Sequence, residues 1–354
     1  MNAPPTVTAF AIAALGCADP SATAIPPTTS GAIALANLDH QIAQLGGDEL
    51  VLLRSRFVSD YDVLDAVIAS ADAHPAHLPR ARARAAVHRF AEAIVELDAA
   101  EHAGEDAPQI AAQRASIAVA TGDAARVLAQ LEVDATRHPG YAPDSALGNA
   151  YAAVGRYRDA DHAYTAALAA LDTTSPFPYA WLLFVRGMMW SESAGDPARG
   201  EALYRQAIAL VPAFVVANVH VAELSIARGD VAAAIARLEP LVASRDPEVL
   251  ALLGRCYARR GDAPRAVRAI TAARERFAEL VSRHPLAFAD HAAEFFLGPG
   301  SDPERAYQLA RGNLSVRRTP RAVRLAIAAA RATGRTDEIS TLLHSPEYGD
   351  HSCR

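Results

Sequence analysis

Two His-x-x-Glu pairs, His220 with Glu223 and His291 with Glu294, have the spacing that most resembles chemistry. Residues three apart share one face of a helix, so each pair sets an imidazole beside a carboxylate. That arrangement starts a metal site or an acid–base pair. Two ligands do not finish a coordination shell, and no third ligand follows either pair at motif spacing. Other catalytic signatures are missing: there is no HExxH, no GxSxG, no Gly-rich dinucleotide fingerprint and no EF-hand loop. All 34 basic residues are arginine. Without lysine, no Schiff-base nucleophile, Walker-type phosphate loop or Ser–Lys dyad can be built. The three cysteines, Cys17, Cys256 and Cys353, form no Cys-x-x-Cys and no ligand spacing. The expectation is a protein that is not an enzyme and holds no cofactor or metal.

The elements that carry these residues are helices. The stretch Asp144 to Leu168, DSALGNAYAAVGRYRDADHAYTAAL, places Leu147, Gly148 and Tyr151 on one stripe. Gly155 breaks the pattern, and a second stripe follows through Ala160, Tyr164, Ala167 and Leu168. The small residues let two backbones approach while the tyrosines fill the space beside them. The break recurs at Gly122, Gly155, Gly195, Gly229, Gly261, Gly300 and Gly334, at intervals of 33, 40, 34, 32, 39 and 34 residues. Asp follows at Asp123, Asp196, Asp230 and Asp262, where it would cap the next helix. Val249–Ala273 repeats the pattern best, with Leu253, Gly254, Tyr257, Gly261, Ala266, Ile270 and Ala273 in register. Proline stands at each hand-over, at Pro139, Pro212, Pro285 and Pro320. The intervals of 40 and 39 predict insertions at Thr173–Pro178 and in the Ala278–Phe288 region.

This order of residues resembles the tetratricopeptide (TPR) repeat, a helical hairpin of about 34 residues. The resemblance implies an all-α fold, a right-handed α-solenoid of TPR-like helical hairpins, clearest over 106–282. Residues 31–105 and 283–354 read as divergent hairpins at the two ends, where one face meets water. The first helices of such a stack line a concave surface. Registering the copies puts Asn149, Arg186, His220, Glu223, Arg255 and Arg259 on it as polar candidates. TPR proteins of the carboxylate-clamp type read a peptide carboxylate with lysine and asparagine. Asn149 fits that pattern loosely and no lysine is present, so arginine would have to hold an acidic or phosphate-bearing segment.

A formal charge of −6 and an aromatic content of 6% give no argument for nucleic acid. The run Val7–Leu15 is too short to span a bilayer. Ala14-Leu15-Gly16-Cys17 resembles a bacterial lipobox, which implies a signal peptide over 1–17 and lipidation at Cys17. Residues 18–30, rich in Pro, Ser and Thr, would then be a flexible tether. The expected function is a non-catalytic scaffold that binds a protein or peptide along its concave face. It would act on the periplasmic face of a bacterial envelope, anchored by lipid. The alternative is a cytoplasmic regulatory or co-chaperone-like module of the same fold, and a third is a metal-dependent activity at one of the His-x-x-Glu pairs.

Overall fold

The computed structural model describes residues 28–344; the lipobox and Cys17 lie outside them. Among the described residues there are 19 α-helices and no strand. They are α1 Gly31–Leu45, α2 Asp48–Val58, α3 Leu64–Ala73, α4 His77–Ala86, α5 Phe90–His102, α6 Ala107–Thr121 and α7 Ala124–Arg137. There follow α8 Tyr141–Ala153, α9 Tyr157–Ala169, α10 Pro176–Met188, α11 Pro197–Leu210, α12 Val215–Ala227 and α13 Val231–Leu238. The last six are α14 Pro247–Arg259, α15 Ala263–Arg283, α16 Pro285–Leu297, α17 Pro303–Val316, α18 Pro320–Ala332 and α19 Thr336–Leu343. Successive helices pack as hairpins, and the first helices α12, α14, α16 and α18 also touch one another, which makes them a layer. The fold is the all-α solenoid expected, built of TPR-like hairpins.

The small-against-large reading is visible at the contacts. A Cβ on Gly148 would lie 2.6 Å from the ring of Tyr164, one on Gly187 2.7 Å from Tyr204, and one on Gly254 2.6 Å from Ile270. Each pair joins the two helices of one hairpin, so each glycine sets how closely they approach. At the turn itself Gly155 has φ +79°, where a side chain would be strained. The turn at Gly300 is built differently. Its Cβ position is filled by Phe295, and Ser301 takes the left-handed conformation at φ 48°. Asp196, Asp230, Asp262 and Asp302 accept a backbone N–H as helix caps, but Asp123 does not. The two long intervals have different causes. One is the loop before α10 together with a π-helical turn at Met189–Ser193; the other is the length of α15, 21 residues.

Residues 31–105 do more than lead into the stack. They and α6 lie along the edge formed by the loops that enter α10, α12, α14, α16 and α18. Thr29 N–H donates to Thr174 O (2.7 Å) at the first of these loops. Phe57, fully buried, lies against Phe177 and Phe214, with ring centroids at 4.9 and 4.6 Å. The Tyr61 hydroxyl donates to Asp246 (3.2 Å), the cap of α14, and its ring meets Phe288 edge-on. Asp62 is ion-paired with Arg245, Arg276 and Arg283, and Asp65 with Arg283, with the His284 ring 3.0 Å from its carboxylate. Further along, His88 bonds Leu286 O, and Arg318 N–H donates to Thr121 O (2.8 Å). A Cβ on Gly122 would collide with Arg318 O, so glycine there also permits this contact.

Candidate functional site

The first-helix layer leaves a concave cavity of about 200 Å³, lined by Ser191, Glu192, Val219, His220, Glu223, Leu224, Glu248, His291, Glu294 and Arg321. A wider, shallower basin shares Glu192, Glu294 and Arg321 with it and extends over Arg324, Leu325 and Ala328. The polar side chains come from five elements, the π turn and four alternate helices. The π-helical turn after α10 gives Ser191 and Glu192, α12 gives His220 and Glu223, and α14 gives Glu248. His291 and Glu294 come from α16 and Arg321 from α18. The two His-x-x-Glu pairs, separate in sequence, therefore face one cavity. Among the described residues, no group of three or more His, Cys, Asp or Glu is arranged to hold a metal ion.

The charges are paired across helices. His291 Nδ1 is 2.6 Å from Glu248, and Arg321 donates to both oxygens of Glu294 at 3.0 and 3.1 Å. Asp290, buried behind His291, is paired with Arg317 (3.1 Å). Burial disfavours the charge on His291, but Glu248 and Asp290 outweigh it and raise its pKa to about 10. Burial likewise opposes the charge on Glu248, and His291, His220 and Arg321 overcome it, lowering its pKa to about 2. Asp290 is held well below the usual carboxylate range for the same reason. His220 is placed differently. Its Nδ1 lies 3.3 Å from Glu192 and 3.3 Å from Glu223, so one imidazole serves two carboxylates. Burial works against its charge, yet Glu223, Glu192 and Glu248 raise its pKa. Its ring stacks on Tyr204, centroids 5.1 Å apart at 18°.

The other expected groove residues are scattered. Arg186 does not face the concavity: it is 7% exposed and makes a two-pronged ion pair with Asp161, 2.6 and 2.7 Å, between α9 and α10. Trp190 and Arg199 donate to the same carboxylate, so Arg186 belongs to a buried network that ties one hairpin to the next. Arg259 is exposed on α14 but gives its guanidinium to Ile226 O (2.8 Å), at the end of α12. Asn149 is exposed on α8 and accepts from the Tyr164 hydroxyl (2.8 Å). Arg255 is exposed on α14, seven residues after Glu248 and so on the same helical face. His220 and Glu223 line the cavity. Sequence reasoning passed over Glu192, Glu248 and Arg321. The last two had a signal: each directly follows a proline at the first position of its helix, Pro247 and Pro320, and so holds the same register. Glu192 had none, because a π turn shifts it out of step with the helical period.

No protein-family model matches the chain, and no curated protein matches it. Solved structures that resemble it include a chain of the APC/C hetero-tetramer Cut9–Hcn1, at 13% identity and a TM-score of 0.45 over 88% of this chain. The chain spans 63% of the length of that one. It also resembles the human IFIT1 dimer with PPP-AAAA, at 13% identity and 0.43, covering 88% of this chain and 84% of that. A third is the P58(IPK) TPR domain, at 15% identity and 0.21, covering 90% and 94%. With glycine-turned hairpins, small residues beneath large ones and a layer of first helices around a hollow, this chain has the fold of an α-solenoid built of TPR-like helical hairpins.

Proposed function

We propose that the chain is a non-catalytic scaffold that holds a segment of another polypeptide along its concave face. One observation carries this reading: five elements of the first-helix layer direct polar side chains into a single hollow that stays open to solvent. A core would have closed there with apolar residues. Solenoids use such hollows to bind extended partners. An acidic partner has less support than the sequence suggested, since Arg186 is committed to Asp161 and Arg259 to a backbone carbonyl.

Photo-crosslinking tests the reading. A benzoylphenylalanine at Leu297, on the concave basin, should capture a partner in cells; one at Val267, exposed on the second helix α15, should not. Equal capture from both positions would overturn it. We place the protein at the periplasmic face of a bacterial envelope, held by lipid at Cys17, on the strength of the lipobox-like residues. Mass spectrometry of the mature N-terminus decides this: a diacylglyceryl Cys17 supports it, and an intact Met1 favours the cytoplasmic module instead.

A further inference from the structure

The His220 end of the cavity is out of balance. Among the described residues, Glu192 and Glu223 have His220 as their only ion-pair partner, each at 3.3 Å, whereas Glu248 and Glu294 each have a close cation of their own. Two carboxylates on one imidazole leave an excess of negative charge. The Tyr204 hydroxyl, beneath this corner, has Ser191 as its hydrogen-bonding neighbour and feels both Glu192 and Glu223, so it adds no cation to offset them. The π turn adds to this, because it brings Ser191 and Glu192 to the cavity wall.

We propose that this corner takes the guanidinium of an arginine from the bound polypeptide, seated between Glu192 and Glu223 beside His220. The proposal rests on the concave-face reading above and specifies its anchor. A guanidinium suits the corner better than an ammonium: it is planar and carries five donors in a fixed fork. It offers both carboxylates a donor where His220 offers one ring nitrogen. The arriving cation takes over the role of the protonated imidazole, so His220 gives up its proton as the site fills. The groups that face His220 are Glu223 on its own helix, Glu192 on the π turn, Tyr204 on α11, and Glu248 on α14; His291 and Arg321, on α16 and α18, line the same cavity. Of these, only Glu192 and Glu223 lie within ion-pair reach of it.

N-acetyl-arginine amide is the probe, with N-acetyl-citrulline amide as its uncharged match and N-acetyl-glutamate amide as the opposite charge. The His220 ring resonances of the full chain are followed by NMR through a pH titration at each probe concentration. The arginine compound should shift them saturably and lower the pKa of His220, and the citrulline compound should do neither. In a Glu192→Gln/Glu223→Gln variant the arginine compound should bind at least tenfold more weakly, while α-helical circular dichroism stays unchanged. Absence of a saturable arginine shift, equal binding to the variant, or preference for the glutamate compound would each overturn the proposal. Partner capture from Leu297 with no arginine shift would remove the arginine anchor and leave the concave-face reading standing.

Discussion

The edge seam and the concave cavity are both rich in charge, and they use it in opposite ways. At the seam, charges are matched: Arg245, Arg276 and Arg283 converge on Asp62, Asp65 and Glu279, and His284, whose pKa burial lowers, stands beside Asp65. Apolar anchors flank them, Phe57 on one side and Tyr61 with Phe288 on the other. In the cavity, Glu192, Glu223, Glu248 and Glu294 meet His220, His291 and Arg321, and among the described residues no Phe, Tyr or Trp lines it. A seam built to stay shut places its ion pairs around a hydrophobic plug, which supplies most of the free energy. A hollow built to receive something leaves charges only partly satisfied. The contrast predicts that seam substitutions act on stability and cavity substitutions on binding.

The largest effect should come from Phe57→Ala. The ring is fully buried among Phe177 and Phe214, so its loss leaves a cavity and costs about 3–5 kcal/mol. Thermal unfolding checks the total. Hydrogen exchange checks the location: protection should fall first in α1 to α3, with α14 and α15 little changed. Loss spread evenly over the chain would show that the N-terminal helices are not held separately at this seam.

A step smaller is Asp62→Ala, at about 1–2 kcal/mol, because Asp62 is half-exposed while Arg276 beside it is buried and would keep only Glu279. High salt should shrink the wild-type advantage, since the pairs of Arg245 and Arg283 reach solvent. Phe57→Ala should show no such salt dependence.

The parts that the sequence made legible are those governed by local rules. The glycine rhythm, the small-against-large pairs at Gly148 and Gly254, and the aspartate caps at Asp196, Asp230 and Asp262 all act within one hairpin, where spacing is information. The seam was not legible, because Asp62 and Arg283 are 221 residues apart in the chain and nothing in their spacing says that they meet. Arg186 was misplaced for a related reason. Its register put it on a first helix, but one turn of that helix packs against α9, and Asp161 was available there. The His-x-x-Glu pairs were recognised as pairs and not as neighbours, since only the curvature of the stack brings α12 and α16 to one hollow.

In the cavity, His291 gives the comparison a pH axis. Its folded pKa, about 10, is above the unfolded value of 6.5. A group raised on folding contributes stability that is complete below pH 6.5 and disappears as pH climbs through 10. The wild type should therefore lose about 1–2 kcal/mol relative to His291→Gln across that window, after allowance for the third of the side chain that solvent reaches. Denaturant unfolding at several pH values checks it. The partner Glu248, lowered to about 2, reports the same interaction from the acid side and is not an additional contribution. A flat difference between the two proteins over pH 6.5 to 10 would mean that the imidazole is not held charged in the cavity.

The smallest stability effect belongs to Glu223→Gln, and its smallness is the point. Glu223 is half-exposed and shares His220 with Glu192, so the neutral amide removes one attraction and one repulsion together. The expected change is within about 0.5 kcal/mol, the range of an ordinary surface substitution. The same change should lower the pKa of His220, because one of the two carboxylates that raise it is gone. Measured by NMR, a fall in that pKa with an unmoved unfolding midpoint would separate the cavity from the seam in a single variant. A midpoint shift as large as that of Asp62→Ala would instead make the His220 corner another structural clamp, with no charge held in reserve for a partner.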